Sequence, residues 1–178
     1  MYIWVAIDVS EQLKELRREA ERVTEELSFF NAALTLPMHI SLRISFWVAE
    51  DKVAAVIKRI EEYYAAVSPF EIFPKAVENN GNVVWLSIRE HAKLKKIHQD
   101  LVDLLLREYA IPLHEFDETF LYHATLFYGR EQKTAELAYR RMQNATFPKT
   151  VQVNRLLIGC SESGAAGEYR VLKTYELS

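Results

Sequence analysis

The chain opens on an apolar run, Tyr2 to Val9, rich in β-branched and aromatic residues, which reads as a buried strand. Ser10 offers an N-cap. Leu13, Leu16, Ala20, Val23 and Leu27 then recur at helical spacing as far as about Phe30. The opposite face of that helix, with Lys14, Arg17, Arg18, Glu21 and Arg22, reads as solvated surface. Pro37 closes the segment before a second strand, Met38 to Val48. Asp51 to Ala66 is a second amphipathic helix, ended by Ser68-Pro69, and Phe70 to Val77 is strand-like.

After the turn cluster Asn79-Asn80-Gly81-Asn82 the same order returns. Val83 to Ile88 predicts a strand, His91 to about Tyr109 a helix, and Leu121 to Tyr128 a strand that comes after a Pro112 loop. Glu131 to Asn144 predicts a helix and Thr150 to Cys160 a strand; Tyr169 to Leu177 completes the set after a Gly164/Gly167 turn. The two halves also share residues. Ile3-Trp4-Val5-Ala6-Ile7 corresponds to Val84-Trp85-Leu86-Ser87-Ile88, and Met38-His39-Ile40-Ser41-Leu42 to Tyr122-His123-Ala124-Thr125-Leu126. The tryptophans are 81 residues apart and the histidines 84. The simplest organisation is two copies of a strand–helix–strand–helix–strand unit, about 1–78 and 82–178. The expected fold is α+β: one bilobal domain spanning 1–178, its antiparallel sheets lining a central groove with helices outside.

Within each repeat the histidine sits in a strand of alternating pattern, where residues two apart share a face. His39, Ser41, Arg43 and Ser45 are thus expected on one face, with Ile40, Leu42, Ile44 and Phe46 toward the helices. In the second copy His123, Thr125 and Phe127 share a face against Ala124, Leu126 and Tyr128. A polar sheet face in two symmetric copies makes a groove. Two imidazoles with ordinary pKa values of about 6.5 suit a general base and a general acid near neutrality. The hydroxyls of Ser41 and Thr125 suit two non-bridging phosphate oxygens, and no metal is needed for in-line displacement at phosphorus.

Composition agrees with a small ligand. The 178 residues are 49% hydrophobic and 26% charged, an ordinary globular content for about one domain. Lys+Arg number 22 against 25 Asp+Glu, a formal charge of -3, which argues against sequence-independent binding of long nucleic acid. A single RNA end or a small phosphate ligand remains open. Cys160 stands alone and reads as a small core residue, so nothing points to an oxidising compartment. The opening apolar run stops at Asp8 with no basic stretch before it, too short for a leader or a membrane span. A cytoplasmic protein, monomeric and without cofactor, is the expectation.

His39-Ile40-Ser41-Leu42 and His123-Ala124-Thr125-Leu126 resemble the paired His-hydrophobic-Thr/Ser-hydrophobic motifs of the two-histidine (2H) phosphoesterase superfamily. Within it the chain is similar to the bacterial RNA 2′,3′-cyclic phosphodiesterase or 2′-5′ RNA ligase family. Trp4-Val5-Ala6-Ile7-Asp8, Pro37, Val84-Trp85-Leu86 and Tyr169-x-Val171-Leu172 extend the likeness over nearly the whole chain. Departures are Ser41 where Thr is commoner, Phe120-Leu121-Tyr122 where relatives often have Arg-Phe-x-Pro, and Arg43 to Trp47 in place of a Phe-Leu-Gly ending.

The resemblance implies hydrolysis of a cyclic phosphate on RNA or a nucleotide, or reversible transesterification of a 2′-5′ linkage. It implies that one histidine activates water and the other protonates the departing ribose oxygen; His123 is taken here as base and His39 as acid, roles that exchange in the reverse reaction. Arg43 is then a candidate to compensate phosphate charge, and Phe127 to stack a base. Two other readings share the groove: a nucleotide- or RNA-binding module without turnover, and a phosphodiesterase for cyclic or 2′-5′-linked oligonucleotide signals. His91 and His98, seven residues apart, read as a solvated helix face, and His114 as a loop residue. Trp4 and Trp85 read first as core and second as groove wall.

Overall fold

The computed structural model describes residues 1–177. The first half runs β1 (Tyr2–Asp8), α1 (Lys14–Leu27), β2 (His39–Trp47), α2 (Val53–Tyr64), β3 (Phe70–Ile72) and β4 (Pro74–Asn80). The second runs β5 (Val83–Ile88), α3 (Ala92–Tyr109), β6 (His123–Tyr128), α4 (Gln132–Met142), β7 (Val151–Val153), β8 (Arg155–Ser161) and β9 (Arg170–Glu176). Both predicted late strands are therefore broken in two. The breaks fall at Phe73 before Pro74 and at Asn154, equivalent places in the two repeats.

Each helix forms because a narrow apolar stripe is available to cover a sheet. α1 buries Leu16, Ala20 and Val23, while its outer face is laced by pairs such as Arg18–Glu15. It ends at Ser28, which takes the left-handed conformation at φ 52°. α1 packs on α4 and β6, and α3 packs on α2 and β2, so each long helix reaches across to the other half's motif strand.

The antiparallel order is β4-β5-β6-β2-β1-β8-β9, with β3 and β7 forming a separate pair. The halves exchange strands: β4 of the first repeat extends β5-β6, and β8 of the second extends β2-β1. Neither repeat completes its own lobe. The two lobes meet where Ile40 of β2 lies opposite Ala124 of β6, and β3 joins β7 through the register Glu71↔Gln152. The expected α+β architecture of two related lobes stands.

Candidate active site

The β2–β6 seam brings the two motifs together. With Ile40 opposite Ala124, the antiparallel register sets His39 toward Thr125 and Ser41 toward His123. Each imidazole thus faces the hydroxyl supplied by the other repeat. One cavity along the seam is lined by both His39 and Thr125, together with Leu36, Tyr128 and Tyr169. Its neighbour is lined by Trp4, Leu36, His39, Ser41, Ile44, Ser45 and Tyr169.

The two histidines are held alike. His39 Nδ1 lies 2.8 Å from the carbonyl of Pro37, and His123 Nδ1 lies 2.8 Å from that of Leu121. A carbonyl only accepts, so Nδ1 carries the proton and Nε2 keeps its lone pair in the neutral ring. Each ring also lies against a tryptophan of the adjacent strand. Trp4 and His39 have centroids 4.7 Å apart, and Trp85 and His123 4.2 Å apart. Trp4, 5% exposed and packed with Ala6 and Leu157, also lines a cavity, so both sequence readings hold for it, while Trp85 is a half-buried wall for the His123 ring.

Burial pushes both imidazoles below their ordinary pKa. The carbonyl bonds oppose that shift in both. For His39 the charges of His123 and Arg17 lower it further, while Asp8 acts the other way. Asp8, beside His39 in the β1–β2 register, is itself tied to Ser10 N at 2.9 Å and Arg155 at 3.3 Å. The flanks of the groove differ. Glu78 faces Trp85 and accepts from its Nε1 at 3.4 Å and from Ser87 at 2.8 Å. The residue facing Trp4 is Gly159, and the Trp4 Nε1 is buried without a partner.

Two expected site residues are not in the groove, and one structural cause accounts for both. Ala6 faces Ser41 and Val5 faces Arg43, making Leu42 an extra residue in β2. Trp85 faces Thr125 and Val84 faces Phe127, making Leu126 an extra residue in β6. Such a bulge breaks the two-residue alternation and turns the next residues to the opposite side; in β2 a second shift, between the Val5 and Ile3 pairings, restores the pattern by Ser45 and Phe46. Arg43 is consequently 2% exposed on the helix side, 3.2 Å from Asp117 and bonded to Pro112 O at 2.9 Å. It is structural and does not contact the groove. Phe127 is fully buried, stacked on Phe29 at 5.8 Å, and is a core residue. The next residues, Ile44 and Tyr128, line the cavities instead.

The bulges leave carbonyls unpaired in the ladder, and each is met by a buried polar side chain from the opposite repeat. Asn31 Nδ2 donates to Leu126 O at 2.9 Å, while its Oδ1 accepts from Tyr128 N at 3.1 Å. His98 Nδ1 lies 2.7 Å from Leu42 O. His98 is 3% exposed, so the solvated-face expectation for it is wrong. Arg17 is also no mere surface residue, since it donates to Leu34 O at 2.6 Å and Leu36 O at 2.7 Å and holds the loop that walls the cavities. Sequence reading misses Asn31, Leu36 and the Tyr169–Ser45 hydrogen bond across the groove. Only an Asn in a loop between apolar segments hints at the first. A larger cavity, about 620 Å³, lies along the start of α3 and residues 117–122, and contains neither motif histidine. Among the described residues no group of three or more His, Cys, Asp or Glu is placed to hold a metal ion, and no helix is long and apolar enough to cross a membrane.

The antiparallel lobes, helices on one side and a groove with two histidine motifs define the fold of a two-histidine phosphoesterase. The chain belongs to the 2′-5′ RNA ligase superfamily, whose family model matches residues 7–162. A Halalkalibacterium halodurans protein named "Putative phosphoesterase BH1439" is 29% identical over 69 residues, a stretch covering 37% of this chain and 40% of that protein's length. Two solved structures share the fold across 99% of this chain. E. coli LigT complexed with 3′-AMP is 19% identical with a TM-score of 0.57, covering 97% of that chain. TT0787 of Thermus thermophilus is 18% identical with a TM-score of 0.67, covering 98%.

Proposed function

We propose that the protein is a phosphoesterase that opens a 2′,3′-cyclic phosphate on an RNA end or a nucleotide by histidine acid–base catalysis, without a metal. One observation carries this reading: two imidazoles, each fixed by an Nδ1–carbonyl bond, stand at one seam, each opposite a hydroxyl from the other repeat. The phosphate lies between Ser41 and Thr125, whose hydroxyls donate to its non-bridging oxygens. His123 Nε2 takes a proton from water as the water oxygen attacks phosphorus. His39, protonated at Nε2, gives its proton to the ribose oxygen as the P–O bond breaks. The product is a phosphomonoester, and the proton pair is restored by exchange with solvent. With a ribose 5′-hydroxyl in place of water as the nucleophile, the same attack breaks the bond from phosphorus to the 3′-oxygen and leaves a 2′-5′ linkage.

E. coli LigT forms complexes with 3′-AMP, ATP, NADP+ and phosphate, consistent with a nucleotide-sized occupant here. Tyr128 and Tyr169 are the aromatic surfaces available to a base. The functional unit is the whole chain 1–178, because the exchange of β4 and β8 leaves neither repeat with a finished lobe. The test is incubation with each of the four 2′,3′-cyclic nucleotides in the presence of EDTA, monitored by phosphorus NMR. A monoester signal that His39→Ala fails to produce supports the reading. If EDTA abolishes turnover, the metal-free mechanism is wrong. Tight nucleotide binding with no new phosphorus signal moves the function to a binding module.

A further inference from the structure

Residues 110–122, between α3 and β6, form no regular helix or strand. Yet this loop supplies Leu121, whose carbonyl orients the His123 ring. A buried histidine on α3 holds it. His98 Nδ1 lies 2.7 Å from Leu42 O in β2, and its Nε2 lies 3.0 Å from Asp117 O in the loop. Both partners are carbonyls and can only accept. A neutral imidazole carries one N–H and can make one such bond; the imidazolium makes both. Phe120 lies against the same ring with centroids 4.4 Å apart, and the edge of Tyr122 approaches it at 6.1 Å.

The contacts of His98 thus join two places that matter for the groove. One is the β2 bulge, a single residue beyond Ser41. The other is the segment that runs from Asp117 through Phe120 to Leu121 and ends at His123. We infer that His98 is a positioning residue, donating from both ring nitrogens, that fixes the His123 imidazole relative to the His39 strand. The inference rests on the proposed role of His123 in proton transfer. Asn31 performs the matching task at the β6 bulge with a neutral amide.

The charged and titratable groups around His98 come from every neighbouring element. Arg43 reaches from β2 to Asp117 of the loop. Glu118, with Glu90, His91 and Lys95 at the start of α3, lines the cavity that His98 also borders. The Arg43–Asp117 pair holds the loop beside the same bulge, so His98 and Arg43 act on one segment from two sides.

Two substitutions separate the two bonds. Asn places its amide near the Nδ1 position and can keep the Leu42 bond while losing Asp117. Gln reaches toward the Nε2 position and can keep Asp117 while losing Leu42. His123 is read in the free protein by nitrogen-15 NMR, and kcat and KM are measured on a cyclic nucleotide. With His98→Asn the loop loosens and the Leu121 bond, which raises the His123 pKa, weakens. The His123 midpoint then moves to lower pH and kcat falls by about tenfold to about 100-fold, with little change in KM. His98→Gln retains the midpoint and most of kcat. The unmodified protein, which needs no variant to fold, shows two slowly exchanging ring N–H protons on His98. A single such proton overturns the inference. So does a lowered melting temperature in both variants with the His123 midpoint unmoved, which is what a purely structural histidine gives. The titration needs no substrate, so failure of the hydrolysis assay is distinguishable from failure here.

Discussion

A Cβ at Gly159 would collide with the indole Nε1 of Trp4, far inside any normal contact. The indole of β1 lies across this glycine of β8, and the ring of His39 lies against the indole. Gly159→Ala therefore has to displace Trp4, and overpacking of this kind costs about 1–3 kcal/mol. The expected result is a lower melting temperature together with a larger loss of kcat than a surface Gly→Ala produces. Thermal melts and steady-state kinetics on the same preparation check it. A variant with full stability and full rate would show that Trp4 does not support His39.

The acid and the base are expected to fail as a unit. His39→Ala and His123→Ala should each lower kcat by at least about 100-fold, and the double variant should lose little more than the worse single one. Circular dichroism must show that each variant keeps its fold. Near-normal turnover by either single variant would mean that its imidazole does not move a proton in the reaction.

Much of this arrangement is legible in the chain. The repeat spacing, the strand pattern and the two His-x-Ser/Thr motifs lead to the lobes and to His39, Ser41, His123 and Thr125. The hidden part comes from pairing between distant segments. Alternation assumes that every residue in a strand has one partner, and Leu42 and Leu126 break that assumption. It therefore puts Arg43 and Phe127, each four residues past its histidine, on the wrong face. His98 and Asn31 escape it because their partners, Leu42 O and Leu126 O, are backbone groups set free by those same bulges. The exchange of β4 and β8 has no local signal, since each strand looks alike whichever lobe it joins.

Arg43 and its partner separate a structural role from a phosphate-binding one. Removing one member of a buried ion pair strands the other, at a cost of about 3–5 kcal/mol. Arg43 and Asp117 side chains are 3% and 4% exposed. Arg43→Met should accordingly lower stability strongly, while the fraction that remains folded keeps its KM for a cyclic nucleotide. Denaturant titration and kinetics at low temperature measure the two quantities. A stable variant with a raised KM would return Arg43 to the phosphate.

The bulge makes an opposed pair of predictions for neighbours in sequence. Phe127 is fully buried against Phe29, so Phe127→Ala should cost about 3–5 kcal/mol through the cavity it leaves. Tyr128 is 41% exposed and lines the groove, so Tyr128→Ala should leave the melting temperature nearly unchanged and raise KM. Guanidinium melts and KM values for both variants settle the matter. The reverse pattern would mean that β6 runs without its bulge.

The two depressed imidazoles set the pH behaviour of both activity and stability. Turnover needs one proton shared between His39 and His123, so kcat/KM should be bell-shaped, and its two limbs belong to the coupled pair. Burial lowers both pKa values, and the charge of His123 lowers that of His39 further. The optimum is therefore expected on the acid side of about pH 6.5, the ordinary imidazole value. Stability moves the other way. Between the folded values and about 6.5 the unfolded chain binds more protons than the folded one, so stability rises with pH across that window. It is fully present above about pH 6.5 and is lost as pH falls through the folded pKa values. Other groups titrate too, so the comparison is with a His39→Asn/His123→Asn variant, whose melting temperature should climb less steeply between about pH 5 and about pH 7. Equal slopes would mean that these histidines are not desolvated in the folded protein. A rate that keeps rising beyond about pH 8 would point to hydroxide in place of a histidine base.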